Sequence, residues 1–209
     1  MNTQTAMVSL FKEKAKLVSA VVSDVSSHRE AFEYSVDLCD RKKACQLLVS
    51  GCEQPLSAKA GDLCDEKQQK IIAAPSLKES QVTDLNNLAA VKDIQLITSD
   101  LRKHLAGIDI GLTFIDYGIA ETGTLVLDSS SEEVRLATMI SEVHIAILPQ
   151  SKIRQNAYAL GEELKKNMLS YPNYTAFITG PSRTADIERV LALGVHGPLE
   201  LHILLLKDK

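Results

Sequence analysis

Runs of β-compatible residues alternate with helical runs along most of this sequence. Seven such runs stand out, at residues 46–50, 70–73, 94–98, 124–128, 144–148, 174–179 and 199–206. Strands that are separated by helices usually pair as parallel neighbours, because a parallel pair needs a long crossover connection. The alternation therefore predicts an α/β fold with a mostly parallel sheet flanked by helices, and that sheet should include 124–128, 144–148 and 174–179.

The first 45 residues show a helical pattern of apolar residues instead of this alternation. Apolar side chains recur at steps of three and four over residues 7–25, which predicts an amphipathic helix, and a second helix is predicted from about 29 to 44. We predict a helical N-terminal segment (1–45) that lies as an appendage on an α/β domain (46–209), the two forming one compact unit.

Two further helices and the last strand have signals of their own. Residues 130–133 fit a capping box before a helix over 134–140, and Ser151 is placed to cap a helix with one apolar face over 153–168. Alternating apolar and polar residues at the start of 199–206 predict a strand with one solvent-exposed face, placed as an antiparallel strand at the edge of the sheet.

Composition excludes several classes of partner. The chain has 23 Lys and Arg against 27 Asp and Glu, no Trp, and only 4% aromatic residues. It therefore lacks the basic surface and the stacking residues that nucleic-acid binding requires. Its apolar runs are far shorter than the roughly 20 residues of a membrane-spanning helix, and lysines interrupt the first of them, which argues against a secretory signal. We expect a cytoplasmic protein with no membrane span.

Four cysteines, Cys39, Cys45, Cys52 and Cys64, are separated by five, six and eleven residues. No C-x-x-C pair is present, whereas structural zinc and iron–sulfur sites usually take close cysteine pairs from one turn. We therefore predict small buried thiols, with no metal and no cofactor in this chain.

The common nucleotide and hydrolase signatures are absent. The sequence has no G-x-x-x-x-G-K-[ST], no G-x-G-x-x-G after a strand, no H-E-x-x-H and no G-x-S-x-G. Nucleoside-triphosphate hydrolysis, ordinary dinucleotide binding, zinc proteolysis and esterase chemistry therefore lack their usual motifs.

The first segment that could carry chemistry is Glu121-Thr122-Gly123-Thr124, which interrupts an apolar run over 111–127. A carboxylate in such a run is costly to bury unless it is paired, and burial raises its pKa toward values that suit acid, base or nucleophile work. The alternative is a hairpin turn in which Glu121 faces water and Gly123 adopts a positive φ. The residues alone leave both readings open.

The second segment, 180–188, lies between a predicted strand and a helix predicted over 190–193. Such a junction aims free backbone N–H groups and the positive end of a helix dipole at one point, which favours an anion. Its candidate anion-binding residues are Gly180, Pro181, Ser182, Arg183, Thr184 and Asp186. The alternative is structural, with Ser182 as an N-cap and Arg183 paired with Asp186.

The third segment is Gly194-Val195-His196-Gly197-Pro198. Gly194 suits the residue that closes a helix, and Gly197-Pro198 turns the chain into the last strand. His196 is left at the mouth of the turn, where it is either a proton donor or ligand, or a hydrogen-bonded spectator.

The three segments form one site if they converge in the fold. Glu121 and His196 would then be the catalytic acid–base pair, and Arg183 the anion anchor. The binding residues of that site also include Thr122, Gly123, Thr124 and Gly197.

Together with the run Gly-Leu-Thr at 111–113, these segments resemble the motifs of the LUD-domain family, over roughly residues 94–207. The resemblance implies a fold similar to the sugar-phosphate isomerase and CoA-transferase-like α/β proteins, some of which use a glutamate as nucleophile. It also supports the convergence of Glu121, Arg183 and His196, because all three lie in the family's motifs.

The same resemblance implies a role in oxidising L-lactate to pyruvate, alongside partner proteins that carry iron–sulfur clusters. Because the cysteine spacing predicts no cluster in this chain, we expect an accessory or substrate-handling subunit. Two other functions stay open: a stand-alone enzyme on a small phosphorylated or CoA-linked acid, and a regulatory module that senses a carboxylate. Whether the isolated chain is an enzyme, and whether it forms a homo-oligomer, stay open too.

Overall fold

Strands and helices alternate through the computed structural model. It describes residues 3–43, 69–104, 107–169, 173–185, 191–193 and 197–208. For residues 168, 183–185 and 191–193 it describes the backbone alone. The helices are α1 (Thr3–Leu17), α2 (His28–Arg41), α3 (Glu79–Ala90), α4 (Glu132–Met139) and α5 (Gly161–Met168). The strands are β1 (Val21–Val25), β2 (Lys70–Ala73), β3 (Ile94–Ile97), β4 (Ile108–Phe114), β5 (Tyr117–Ile119), β6 (Thr124–Asp128), β7 (Ser141–Pro149), β8 (Ile153–Arg154), β9 (Thr175–Ile178), β10 (Arg183–Ala185), β11 (Leu191–Leu193) and β12 (Glu200–Leu206). Short 3₁₀ segments cover Leu101–His104, Gln150–Lys152 and Ala157–Leu160.

Six parallel strands form the main sheet, in the order β1-β12-β7-β4-β2-β3. Both faces of this sheet are covered, so its central strands have no wet face, and residues 145–148 and 203–205 are fully buried. The predicted class, an α/β fold with a mostly parallel sheet flanked by helices, is confirmed.

Two hydrophobic cores lie on opposite faces of the main sheet. On one face, α2 and α3 pack Phe32 and Leu85 against a core that includes Ile147. On the other face, α1 packs Phe11 against a core that includes Leu148. Successive side chains of a strand point to opposite faces, so each central strand serves both cores.

A second sheet of four strands, in the order β8-β5-β6-β9, covers part of the face on which α1 lies. β6 pairs antiparallel with both β5 and β9. The prediction that 124–128 and 174–179 belong to the parallel sheet is therefore wrong. Only residues 120–123 connect β5 to β6, which is too short for a parallel crossover, so the chain returns as a hairpin.

The N-terminal segment also differs from its prediction. The helix predicted over 7–25 ends at Leu17, because Ser19 adopts a left-handed φ of 67°, and the three valines of β1 then pair with β12. Residues 3–43 contribute an edge strand and two core helices to the α/β body, rather than an appendage beside it.

The last strand, β12, lies between β1 and β7 and is parallel to both. Six of its seven residues are buried. The predicted antiparallel edge strand with one wet face is therefore wrong. Four consecutive apolar residues at 203–206 fit a strand that is covered on both sides, and they outweigh the alternation before them.

Two of the predicted helices change. Over 151–168 the helix begins only at Gly161, because Ile153 and Arg154 pair with β5 as β8. The predicted helix at 190–193 is wrong over 191–193, which form β11 and pair antiparallel with β10.

The helix predicted over 134–140 is confirmed as α4, but the predicted capping box does not form. Ser131 at the N-cap makes no side-chain capping hydrogen bond. The Glu133 carboxylate instead accepts from the backbone N–H groups of Asp100 and Leu101, at 3.1 and 3.0 Å. A tertiary contact has replaced the local one.

Cys39 is fully buried in α2, as predicted for a structural thiol. The other three cysteines and the predicted strand at 46–50 lie outside the described residues. Within the described ranges, no helix is long and apolar enough to cross a membrane.

Candidate functional site

The β5–β6 turn carries the first predicted segment. Glu121 and Thr122 are exposed, and the Glu121 N–H donates to the Gln155 carbonyl at 3.0 Å. Gly123 has a φ of 66°, and its N–H donates to the Ile119 carbonyl at 2.9 Å. This is the geometry of the hairpin-turn alternative, in which the Glu121 carboxylate stays solvated.

A chain of hydroxyl groups links this turn to the end of β9. The Oγ1 atoms of Thr122 and Thr124 are 2.7 Å apart, and Thr124 Oγ1 lies 2.8 Å from Thr179 Oγ1. Thr124 is buried, whereas Thr122 and Thr179 are exposed. The first and second predicted segments are therefore next to each other.

The loop after β9 packs against the residues that precede β12. The Ser182 N–H donates to the Pro198 carbonyl at 2.9 Å, and a Cβ at Gly197 would lie 3.1 Å from the Ser182 Cβ. The second and third segments thus touch. The predicted strand–loop–helix junction is replaced here by a loop that leads into β10, so no helix dipole at 191–193 supports an anion at Ser182.

Two glycines let the end of α1 approach these segments. A Cβ at Gly123 would clash with the backbone of Ala15, and a Cβ at Gly180 would clash with the carbonyl oxygen of Val18. Both glycines also have positive φ values, 66° and 78°. Only glycine suits these two positions, which are therefore fixed against α1.

Some of the predicted site residues cannot be placed relative to this region. Arg183 and Thr184 lie in β10, with their side chains outside the description, and Asp186 and His196 lie outside it altogether. The predicted grouping of Glu121 with Arg183 and His196 therefore stays a prediction.

A cavity of about 170 Å³ opens beside the contact between the segments. Gly180, Pro181 and Pro198 form part of its wall, and the main sheet, α4 and the second sheet form the rest. Ala176 and Ile178 of β9 line it, so by the alternation of a strand Thr179 belongs to the opposite face. The hydroxyl chain and the cavity lie on two faces of the second sheet and meet at Gly180.

His144 is a buried histidine in the wall of this cavity, and sequence reasoning gave it no role. It is 1% exposed, and its Nε2 lies 2.8 Å from Oγ1 of Thr113 on β4. Burial lowers its pKa to about 4, so the imidazole is neutral at pH 7. The signal that could have found it is the run Gly-Leu-Thr at 111–113, because Gly111 pairs with His144 and Thr113 binds it.

Arg135 of α4 is a cationic residue in the wall of the cavity, and sequence reasoning missed it too. Its Nη1 donates to the carbonyl oxygens of Ser129 and Ser130, at 2.6 and 2.9 Å. Its guanidinium lies 5.5 Å from the centroid of the Tyr174 ring. In the sequence, an arginine on a short amphipathic helix looks like an ordinary solvent-exposed charge. Only the structure shows that Arg135 lines a cavity.

A separate polar cluster lies at the amino-terminal ends of β4 and β7. Lys42 Nζ donates to Asp109 Oδ1 at 2.9 Å and to Glu142 Oε2 at 3.0 Å, while Asp109 Oδ2 accepts from the Ile71 N–H at 2.8 Å. Burial lowers the pKa of Lys42, but the hydrogen bonds and charges of both carboxylates outweigh burial and raise it. The charged groups of this cluster are bonded to one another and to the Ile71 N–H, so we interpret the cluster as structural.

In the described parts of the chain, no group of three or more His, Cys, Asp or Glu side chains is arranged to hold a metal ion. Three of the four cysteines lie elsewhere. The absence of a metal or cofactor therefore stays a prediction.

The main parallel sheet, its flanking helices and the second sheet beside it define an α/β domain whose candidate site lies where the two sheets meet. The family profile described as "LUD domain" matches residues 8–206. The chain belongs to the LUD domain family, as its motifs indicate.

Curated relatives match about half of the chain. Lactate utilization protein C of Bacillus subtilis is 36% identical over 104 residues, 48% of this chain and 43% of that protein. Lactate utilization protein C of Halalkalibacterium halodurans is 38% identical over 104 residues, which are 48% of this chain and 45% of that protein. An uncharacterized protein of Neisseria meningitidis is 42% identical over 99 residues, which are 46% of this chain and 42% of that protein. The matched part spans less than half the length of these relatives.

Among solved structures, a DUF162 family protein from Deinococcus radiodurans is similar, with a TM-score of 0.59 and 15% identity over 99% of both chains. At this identity the likeness supports the fold alone. The resemblance to sugar-phosphate isomerases and CoA-transferases stays a prediction.

Proposed function

We propose that this chain is a component of L-lactate utilization, the oxidation of L-lactate to pyruvate, and that it handles the small acid while iron–sulfur partner proteins carry the electrons. The observation that carries this proposal is that a LUD-domain chain matches relatives named Lactate utilization protein C. The contact between the three motif segments supports it, because it brings the family's motifs to one edge of the second sheet.

The chemistry assigns limited tasks to the chain. Oxidising L-lactate to pyruvate releases two protons and two electrons, and the electrons go to the partner's clusters. In this proposal one of Glu121 and His196 accepts the proton of the substrate hydroxyl, and the other accepts the proton that leaves C2 as its two electrons pass to the partner's clusters. Arg183 holds the substrate carboxylate. The exposed position of Glu121 suits this role only in the assembled complex, where a partner surface excludes water from the turn.

Growth of the native host tests the biological role. A strain that lacks this chain is expected not to grow on L-lactate as sole carbon source, while its growth on pyruvate is unchanged. Complementation with the wild-type chain restores growth, Glu121→Gln does not, and the matched control Glu13→Gln, at an exposed position of α1, does. Normal growth of the deletion strain on L-lactate would refute the proposal.

Elemental analysis and electron transfer test the division of labour. The purified chain is expected to contain iron and zinc far below one atom per chain, and to reduce no dye with L-lactate unless the iron–sulfur partners are added. Stoichiometric iron would contradict this part of the proposal. The four cysteines would then be the first ligands to replace, one at a time.

A further inference from the structure

The cavity holds an arginine whose charge no carboxylate neutralises within the described ranges. The acidic side chains closest to Arg135 on α4 are engaged elsewhere: Glu132 pairs with Arg102, and Glu133 accepts from the N–H groups of 100–101. Only Nη1 of Arg135 donates to the protein there, which leaves the hydrogens on Nε and Nη2 for another acceptor. Stacking on Tyr174 keeps the guanidinium in place for it.

His144 presents a second unmatched polar group in the same cavity. Its Nε2 is bonded to Thr113, while its Nδ1 has no hydrogen-bond partner among the described residues. A buried imidazole nitrogen without a partner costs free energy, and the cavity that this ring lines can supply one. Because the neutral ring exists in two tautomers, Nδ1 can accept from a hydroxyl or donate to a carbonyl oxygen.

The size and polarity of the cavity limit the ligand. Its volume of about 170 Å³ is close to that of an engineered cavity of about 150 Å³ that binds benzene, so it holds a molecule of about six heavy atoms. Met139, Ile178 and Leu201 make much of the wall apolar. This space is too small to enclose coenzyme A or a sugar phosphate as a whole.

We propose that this cavity binds a short 2-hydroxy or 2-oxo monocarboxylate, with its carboxylate on Arg135 and its 2-oxygen at His144. The inference rests on the proposed function for its choice of ligand, and the cavity is a second site for that acid, distinct from the one proposed at Glu121, Arg183 and His196. It adds a site whose polar residues lie outside the predicted motifs, although Gly180 and Pro181 form a wall common to both.

Calorimetric titration of the purified chain tests the site. Pyruvate, L-lactate and 2-oxobutyrate are expected to bind, whereas lactamide, the uncharged amide of lactate, is expected not to. Arg135→Gln should weaken pyruvate binding by about 10- to 100-fold, because a charge-assisted hydrogen-bond pair is lost. The matched control is Arg102→Gln, an exposed arginine outside the cavity, which should bind as the wild type does.

A second variant keeps the test independent of folding, since Arg135→Gln also removes two hydrogen bonds to carbonyl groups. Met139 lines the cavity and is 57% exposed, so Met139→Trp narrows the mouth of the cavity while the chain keeps Arg135. It should also weaken pyruvate binding at least tenfold, with the unfolding temperature little changed. In addition, Tyr174→Trp places the sole tryptophan of the chain at the cavity, and its fluorescence should change saturably with pyruvate.

The outcomes separate this inference from the proposed function. Binding that depends on Arg135 and Met139, in a host that grows on L-lactate without the chain, supports the cavity site and refutes the role in lactate utilization. The cavity site is overturned if none of the three acids binds, or if the wild type, Arg135→Gln and Met139→Trp bind pyruvate equally well. The growth experiment then still tests the role in lactate utilization.

Discussion

The two sheets of this protein are built in different ways. In the main sheet every neighbour is parallel, and the central strands β7 and β12 are buried on both faces. In the second sheet β9 pairs antiparallel with β6, and Tyr174 and Phe177 beside and on β9 are 58% and 52% exposed. The difference shows where polar residues can be placed: strands covered on both faces have little room for them, whereas a sheet with a wet edge accepts them.

The difference also predicts a division of tasks. The main sheet should determine the free energy of unfolding, and the second sheet should carry the motif residues at little cost in stability. Several residues of the main sheet do not follow its apolar pattern, and three of them, Asp109, Gly111 and His144, are tested below.

The largest effect is expected at Asp109, a fully buried carboxylate of the main sheet. Asp109→Ala leaves Lys42 with Glu142 as its one carboxylate partner among the described residues, and it deprives the Ile71 N–H of its acceptor. The free energy of unfolding, measured with urea, should fall by about 3–5 kcal/mol. The exposed control Asp84→Ala should change it by less than about 0.5 kcal/mol, and equal losses in the two variants would contradict a structural role for the cluster.

A pair of truncations compares the two sheets directly. Ile147→Ala in β7 creates a cavity at a fully buried position and should cost about 2–5 kcal/mol in urea unfolding. Phe177→Ala in β9 removes a half-exposed ring and should cost about 1 kcal/mol or less. If the two losses are equal, the second sheet is as important for stability as the first, and the comparison fails.

The third prediction concerns pH and His144. Because its pKa is about 4 in the folded chain and about 6.5 when unfolded, the neutral ring contributes stability that is complete above pH 6.5 and is lost as the pH falls toward 4. The shift corresponds to about 3 kcal/mol. His144→Asn should remove this part of the pH dependence, and an unchanged profile in that variant would show that other groups cause it.

Asp116 acts in the opposite direction. Burial raises its pKa, so its contribution to stability is present at low pH and is lost as the pH rises through the folded pKa. The difference between wild type and His144→Asn therefore isolates the histidine better than the wild-type profile alone.

The smallest predicted effect separates two glycines. A Cβ at Gly111 would clash with the Ala137 carbonyl of α4, so Gly111→Ala should cost about 1–3 kcal/mol and displace the helix that carries Arg135. Gly161, the first residue of α5, has nothing within 4 Å of such a Cβ, and Gly161→Ala should stabilise the chain by up to about 1 kcal/mol. Thermal unfolding of both variants checks the contrast.

The sequence predicts the apolar strands of the main sheet well, because β2, β3 and β7 are short apolar runs between helices. It misses β4, because Asp109 and Gly111 interrupt the apolar pattern, and it misses β1, because the valines of β1 continue the spacing of the preceding helix. It also assigns β6 and β9 to the wrong sheet, since periodicity shows that a segment is a strand but not which strand it pairs with.

The candidate site was predictable to a similar degree. The hairpin-turn alternative anticipates the positive φ of Gly123, because that reading follows from local backbone chemistry. His144 and Arg135 could not be recognised, since one looks like the start of a buried strand and the other like a solvated helix residue. Their common cavity exists only through the register of β4 with β7 and the packing of α4.

The position of β12 between β1 and β7 also determines the order in which the chain can fold. Val21 of β1 pairs with His202, about 180 residues later, so the two partners of β12 stay apart until it has been synthesised. Contacts of such long range close slowly, because a large loop must first be ordered. Among the strand edges that acquire a partner in the main sheet, the apolar edge of β7 therefore stays unpaired during synthesis for longer than any except that of β1. Aggregation of the nascent chain is expected to begin there.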